Sequence, residues 1–232
     1  SKKRLQLDML GVEQLIAMTE DRRPAAIIMW DEKLTDMGDY FRWVGRNYAL
    51  GLKLSYHRIY VKPQALDGWH DQRALLGDCV QLVGYNLSET AIDPGESLRV
   101  TLNWEVLAGG NPRYAGFVHM VDGDGRSLTQ ADHVAFGDWY PSEEWQAGEL
   151  IADDYELAVP TADASGPYWL SVGLYDRETK DRLSATTLAG ESLPGDQVTL
   201  SVQPVVRWAA DWEQAPLDRA VGAQFGSVGR LV

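Results

Sequence analysis

The sequence predicts an α+β fold in which a small N-terminal α/β subdomain precedes an antiparallel β-sandwich, immunoglobulin-like or jelly-roll in type. Two observations lead to this prediction. The apolar pattern changes between helical and strand periods over residues 12–62, whereas residues 79–206 contain only strand patterns separated by turn residues. Strands at this spacing, without helical periods between them, are typical of sandwiches.

The first sixty residues alternate twice between helix and strand. A helix is predicted from Val12 to the residues before Pro24, because proline discourages helix continuation. The continuous apolar run at 25–30 predicts a strand covered on both faces. Apolar residues at helical spacing then predict a second helix through Tyr48, and alternation over 52–62 predicts a second strand.

The sandwich strands are predicted from six alternating segments, and the turns between them contain Pro, Gly and Asp. Alternation in the segment 97–106 places one set of side chains in the core and exposes the other set to solvent. The core set is Leu98, Val100, Leu102, Trp104 and Val106.

Composition limits the possible partners. The formal net charge of -13 would repel a phosphate backbone, so no nucleic-acid partner is expected. No run of about 18 apolar residues predicts a membrane-spanning helix. The single cysteine, Cys79, lies in a strand-like run where a buried thiol is expected.

A short repeat links the middle of the chain to its end. Residues 76–83 and 225–232 both place an apolar residue and Gly before a polar residue and end in Leu-Val, at a constant offset of 149. The predicted organisation is therefore an α/β subdomain at 1–63, a linker at 64–78 and a sandwich at 79–206. Residues 207–232 are a second linker with a possible first strand of a truncated second repeat.

Residues 12–63 carry the phrases "LIAMTEDRRPAAIIMW", "YFRWVGRNYAL" and "HRIYVKP". They resemble the C-terminal soluble segment of bacterial polytopic membrane glycosyltransferases that use lipid-linked sugars, the protein mannosyltransferase and aminoarabinose transferase superfamily. The resemblance implies a membrane-embedded part before Ser1, and any membrane contact would be made through that part. The catalytic acidic residues of the family lie between early membrane helices, so none is carried onto this sequence.

Residues 76–206 contain in order the phrases "LVGYNL", "PGESLRVTLNWEVL", "GFVHMVDGDGR", "YPSEEWQAGELIADDYELAVP" and "GPYWLSVGLYD". They resemble a β-sandwich module appended to such glycosyltransferases and to other envelope proteins of Chloroflexota-like bacteria. The resemblance implies no activity. Because such modules often follow one another, it implies that "QFGSVGRLV" begins a further copy.

The loop "GDWYPSEEWQAG" is the candidate carbohydrate-binding site. Trp139 and Tyr140 would offer ring faces to the C–H side of a sugar, while Asp138 and Glu143 would accept hydrogen bonds from its hydroxyl groups. The competing interpretation is that the aromatic residues of this loop plug one end of the sandwich. Trp145 is expected in the core in either case.

No catalytic residue, metal or cofactor is predicted. The segment "DGDGR" at 122–126 resembles the start of a calcium loop, but it lacks the later ligands and is predicted to be a hairpin turn. The paired carboxylates Glu143–Glu144 and Asp153–Asp154 are neighbours in sequence, which favours a solvated surface over a catalytic dyad. The four histidines have no metal-ligand spacing, and His119 is expected to be packed beside Phe117.

These observations favour a non-catalytic binding or spacer region on the extracytoplasmic face of a bacterial membrane, belonging to a membrane glycosyltransferase. The alternative is a carbohydrate-binding or adhesion module of a cell-envelope protein. The expected partners are glycans or cell-envelope polysaccharide.

Overall fold

The computed structural model of the protein describes residues 11–30, 38–54, 57–137, 140–161, 168–207, 224–225 and 229–230. Within these ranges no helix has both the length and the apolar character needed to cross a bilayer. The fold is predominantly β with few helices, which confirms the predicted α+β class with a sandwich.

Within the described residues, the N-terminal elements are two helices and three strands: α1 (Val12–Arg22), β1 (Ala26–Trp30), α2 (Gly38–Asn47), β2 (Ala49–Leu54) and β3 (His57–Val61). The order helix, strand, helix was predicted correctly. The single strand predicted over 52–62 is wrong, because β2 begins directly after α2 and pairs with β3 as an antiparallel hairpin. The sequence pattern did not separate the two strands because both arms of the hairpin carry apolar residues.

Five of the six long strands of the sandwich lie where alternation predicted them, and the exception is Ser127–Val134. The alternating segment predicted at 196–206 forms only the short strands Val198–Thr199 and Val205–Val206. The long strands are β6 (Val80–Leu87), β8 (Ser97–Val106), β9 (Tyr114–Val121), β10 (Ser127–Val134), β11 (Leu150–Ala158) and β12 (Trp169–Asp176). All pairings among these six strands are antiparallel.

Short strands complete the sheets and tie the loops to them. They are β4 (Trp69–His70), β5 (Ala74–Leu76), β7 (Ala91–Ile92), β13 (Ala185–Thr186), β14 (Val198–Thr199), β15 (Val205–Val206), β16 (Gln224–Phe225) and β17 (Gly229–Arg230). In the described part of the chain, β16 and β17 pair only with each other. The prediction that this segment opens a further repeat therefore stays a prediction.

The sheet of the N-terminal subdomain continues into the sandwich. The described strands form one nine-stranded sheet in the order β1-β3-β2-β11-β8-β6-β5-β13, with β4 beside β6, and a four-stranded sheet in the order β10-β9-β12-β14. The junction is a short parallel pairing of Ala49 and Leu50 with Leu150 and Ile151. The expectation that the N-terminal strands form a separate unit packed on the sandwich is wrong, because β2 hydrogen-bonds directly to β11.

The segment 64–78 also differs from the expected linker. Its strands β4 and β5 both pair with β6, and the ring of Trp69 lies over Gly84. A Cβ atom at Gly84 would come within 2.2 Å of that ring, so only glycine leaves room for it. The segment therefore covers part of the outer face of the large sheet.

The core lies between the two sheets. The five residues predicted to face inward from β8 are all fully buried, which confirms the alternation. They meet inward residues of the second sheet, including Val118, Met120 and Val172. The opposite face of β8 is not uniformly wet, because Asn103 is buried and its amide donates to Asn86 Oδ1 at 3.2 Å.

A polar cluster links the sheets at one side of the core. The buried carboxylate of Asp153 on β11 accepts hydrogen bonds from the Tyr155 hydroxyl at 2.6 Å and from the Phe136 N–H at 3.0 Å. The His133 ring on β10 stacks on Tyr155 with a centroid distance of 4.2 Å. Burial raises the pKa of Asp153 to about 6, although His133 and the two hydrogen bonds act in the opposite direction.

The raised pKa of Asp153 predicts a pH dependence of stability. The folded protein holds this proton more tightly than the unfolded chain, whose carboxyl has a pKa of about 3.9. The stability contribution of Asp153 is therefore complete below about pH 4 and is lost as the pH rises through about 6.

Urea unfolding of the protein and of Asp153→Asn between pH 4 and pH 8 measures this contribution. We expect the native protein to lose free energy of unfolding relative to the variant over that range. Glu156→Gln, which removes an exposed carboxylate from the same strand, is the control. Parallel profiles for the protein and Asp153→Asn would contradict the assignment.

Candidate functional site

The aromatic loop predicted to bind sugar is mostly packed inside the fold. Tyr140 is 2% exposed, so its ring cannot be offered to a ligand and this part of the prediction is wrong. Trp145 is 1% exposed and its Nε1–H donates to the Tyr140 carbonyl at 2.9 Å, as expected of a core residue. Asp138 and Trp139 lie outside the described residues, so their role stays a prediction.

Tyr140 is buried because the N-terminal hairpin covers it. Its hydroxyl donates to Glu149 Oε2 at 2.7 Å, and Lys53 Nζ lies 4.5 Å from its ring centroid. The Arg58 guanidinium lies over the same ring at 5.7 Å. Burial raises the pKa of the Tyr140 hydroxyl, so it remains a hydrogen-bond donor at neutral pH. The loop therefore anchors β2 and β3 to the sandwich.

Glu143 is exposed at the rim of an open cavity of about 590 Å³. Its carboxylate lies 3.9 Å from Arg113 Nη1. The other lining residues are Pro112, Asp176, Arg177 and Glu178. Among the described residues, this cavity is lined mostly by charged side chains and none of its lining residues is aromatic. The role of Glu143 in binding a sugar stays a prediction.

The segment "DGDGR" is a turn, as predicted. Asp122 Oδ1 accepts hydrogen bonds from the backbone N–H groups of Asp124 and Arg126 at 3.0 and 2.9 Å. These bonds, with the Arg126 side chain, hold the pKa of Asp122 below its usual range. In the part of the chain that the structure describes, no group of acidic, histidine or cysteine side chains is arranged to hold a metal ion.

A second concavity lies on the outer face of the four-stranded sheet, and we call it the Phe117 cleft. Its volume is about 270 Å³. Its lining combines aromatic rings, two cations and a histidine–carboxylate pair: Phe117, His119, Asp132, Tyr175, Lys180 and Arg182.

Strand register brings the floor of this cleft together. Phe117 on β9 is opposite Asp132 on β10 and Gly173 on β12, so their side chains share one face. The neighbouring residue Val118 points into the core, which fixes Phe117 outward. A Cβ atom at position 173 would lie 2.6 Å from the ring of Phe117, so glycine is required for the ring to lie flat on β12.

A tight turn after β12 supplies the cationic wall. The Asp176 carboxylate accepts hydrogen bonds from the N–H groups of Glu178 and Thr179 at 2.7 and 3.1 Å. Tyr175 and Arg182 form an antiparallel β-bridge across the turn. Lys180 has a positive φ of 68°, the left-handed conformation that closes such turns. The turn therefore holds Lys180 and Arg182 on the same side as Tyr175.

Contacts within the cleft orient its polar groups. His119 Nε2 and Asp132 Oδ1 are 3.1 Å apart, with side chains 16% and 28% exposed. The Arg182 guanidinium lies 4.5 Å above the Phe117 ring, and its Nη1 donates to Gly195 O and Gln197 Oε1. Burial and the charge of Asp132 raise the pKa of Tyr175, whose hydroxyl thus stays neutral.

The arrangement is suited to binding more than to nucleophilic catalysis. Ser171 is opposite His119 across the strands, which gives a serine, a histidine and an aspartate on one sheet face. However, Ser171 is buried and makes no hydrogen bond to His119 among the described contacts. A nucleophile must be within hydrogen-bond reach of its base, and this serine is not.

The sequence reasoning identified only part of this cleft. His119 is packed against Phe117 at a centroid distance of 4.7 Å, as predicted, but its pairing with Asp132 was not foreseen. The alternation in "YAGFVHMV" already places Phe117 and His119 on one face. Tyr175, Lys180 and Arg182 come from a turn more than fifty residues later in the sequence, and no local pattern connects them to β9.

Comparisons with known proteins give distant similarities only. The chain is similar to the crystal structure of the C-terminal domain of wzt, with a TM-score of 0.42 and 11% identity over 65% of this chain and 87% of that one. It is also similar to a β-glucuronidase of Bacteroides uniformis, with a TM-score of 0.33 and 12% identity over 58% of this chain and 19% of the enzyme. A glycosyl hydrolase family 2 member from Bacteroides cellulosilyticus has a TM-score of 0.30 and 7% identity over 63% of this chain and 16% of its own.

No protein-family model matches the chain, and no curated protein sequence matches it significantly. TM-scores below 0.5 do not carry the activity of either kind of neighbour to this chain.

The packing of the aromatic loop predicts the effect of Trp145→Ala. Removing this buried indole leaves a cavity and also the unpaired carbonyl of Tyr140, so we expect a loss of about 3–5 kcal/mol in the free energy of unfolding. Chemical denaturation measures the loss. Gln146→Ala, which changes the exposed neighbour, is the control and should stay within about 0.5 kcal/mol. An unchanged stability of Trp145→Ala would contradict the packing described for this loop.

Proposed function

We propose that this chain is a non-catalytic glycan-binding module and that the Phe117 cleft is its binding site. The observation that carries the proposal is the combination of one partly exposed aromatic ring, Tyr175, with paired polar groups in an open concavity whose floor is the buried ring of Phe117. Ligand sites commonly combine apolar surface with a few placed polar groups that fix orientation.

Each wall of the cleft has a role in binding a sugar. The partly exposed ring of Tyr175 offers apolar surface to the C–H groups of a pyranose. Asp132 accepts hydrogen bonds from hydroxyl groups, while Arg182 and Lys180 donate them. The His119 contact keeps the Asp132 carboxylate in place. Because these groups are held by strand pairing and a rigid turn, little ordering is required on binding.

The wider setting that we propose is the extracytoplasmic face of a bacterial membrane, as part of a lipid-linked-sugar-dependent glycosyltransferase. The sequence resemblance of residues 12–63 supports this setting. The parallel pairing of β2 with β11 joins the sandwich to the N-terminal subdomain that carries this resemblance. An adhesion module of a cell-envelope protein is the alternative setting for the same cleft.

Glycan-array binding of single variants tests the proposed site. Tyr175→Ala removes a partly exposed ring, and we expect it to weaken binding about tenfold, because a central aromatic contact is worth more than about 1 kcal/mol. Leu66→Ala, an exposed apolar residue next to β4, is the matched control. Both variants should keep a melting temperature close to that of the native protein.

Trp139→Ala in the same experiment tests the loop residue whose role stays a prediction. Loss of binding in Trp139→Ala together with full binding in Tyr175→Ala would move the site to the loop. Failure of the native protein to bind any glycan would contradict the proposed function as a whole.

A further inference from the structure

The Phe117 cleft carries positive charge on an acidic protein. Its lining has two cations, Lys180 and Arg182, against the single carboxylate of Asp132, which leaves one net positive charge when His119 is neutral. The whole chain has a formal net charge of -13. A ligand that carries negative charge would therefore be repelled by most of the surface and attracted to the cleft.

The two cations are not used for ion pairing within the fold. Arg182 Nη1 donates to the oxygens of Gly195 and Gln197, at 2.8 and 2.9 Å, and both acceptors are uncharged. Lys180 Nζ lies 5.7 Å from the ring centroid of Tyr175. Within the described ranges, neither of them forms a salt bridge with a carboxylate.

Some cations elsewhere on this protein form salt bridges, whereas others in the described ranges, such as Arg99 and Arg177, form none. Arg126 pairs with Asp122, Arg207 pairs with Asp93 and Lys53 pairs with Glu144. Two neighbouring cations that instead point into a concavity, and have no such partner, have charge left for a ligand.

The position of each cation suits an anionic group attached to a ring. The Arg182 guanidinium lies 4.5 Å over the Phe117 ring and is held there by the two hydrogen bonds of Nη1. Within the described residues Nε and Nη2 make no hydrogen bond, so they remain for an acceptor on a ligand. A planar guanidinium binds a carboxylate through two parallel hydrogen bonds, and lysine adds a mobile point charge. Asp132 would repel the same group, but its Oδ1 already contacts His119 Nε2 at 3.1 Å.

We infer that the Phe117 cleft selects an acidic sugar, with the sugar ring against Tyr175 and its carboxylate or phosphate between Lys180 and Arg182. The inference rests on the proposed function and names the ligand class of that same site. Attraction by exposed cations is screened by salt over about 10 Å at 0.1 M, so the preference is strongest at low ionic strength.

The test uses a glycan array with matched pairs, each a neutral oligosaccharide and its uronate and phosphorylated counterparts. We expect the native protein to bind the charged member of at least one pair about tenfold more tightly, since charge-assisted hydrogen bonds are about twice as strong as neutral ones. Comparing the uronate and phosphorylated members shows which anion the cleft takes. The preference should decrease when sodium chloride is raised from 50 mM to 500 mM.

Variants of Lys180 and Arg182 test whether these two cations cause the preference for the acidic glycan. Lys180→Gln keeps an unbranched polar side chain at this left-handed position and removes the charge. Arg182→Lys keeps the charge and removes the planar guanidinium that can donate two parallel hydrogen bonds. Both should weaken binding of the acidic member several-fold more than binding of the neutral member, so that the ratio of the two affinities falls toward one. Arg99→Gln, which replaces an exposed cation on β8 of the other sheet, makes the same change in net charge as Lys180→Gln and should have no effect.

The outcomes separate the two proposals. Equal binding of neutral and acidic members, or a preference that survives in Lys180→Gln and Arg182→Lys, overturns the acidic-sugar inference and leaves the glycan-binding function in place. Absence of binding to every glycan overturns the proposed function and the inference with it.

Discussion

The pairing of β11 with strands on both of its sides is the constraint on which the rest of the structure depends. Among the described strands, β11 alone joins the N-terminal hairpin to the sandwich, through β2 on one side and β8 on the other. Its inward residues also reach the second sheet, where Tyr155 stacks on His133. A slip of one residue in its register would turn Ile151, Asp153 and Tyr155 to the outside at once.

That constraint also explains why the aromatic loop is structural. The loop leads directly into β11, and β2 pairs with the first two residues of that strand. The hairpin is therefore held beside the loop, where Lys53 and Arg58 cover the ring of Tyr140. An aromatic, acidic loop at the end of a sandwich can bind sugar only if nothing packs over it. Here the N-terminal subdomain covers the Tyr140 side.

The described part of the N-terminal subdomain does not pack over the Phe117 cleft. The cleft lies on the outer face of the second sheet, away from the N-terminal strands, and its floor is made by paired positions on β9, β10 and β12. The turn after β12 folds over this floor and brings its cations to it. The same sheet therefore supplies core residues on one face and a polar, partly aromatic concavity on the other, which allows binding without weakening the core.

The sequence by itself determined the periods of the strands and the chemistry of the turns. Alternation is a local property, so the alternate residues from Leu98 to Val106 were correctly placed in the core. The turn at Asp122 was correctly identified because its hydrogen bonds reach only four residues along the chain. The tertiary structure decided the rest. The burial of Tyr140 depends on Lys53, and the cleft depends on Arg182 meeting Phe117; the two members of each pair are distant in sequence. Side chains so far apart in sequence meet only through sheet pairing. The periodicity of one segment does not indicate which other segment it pairs with.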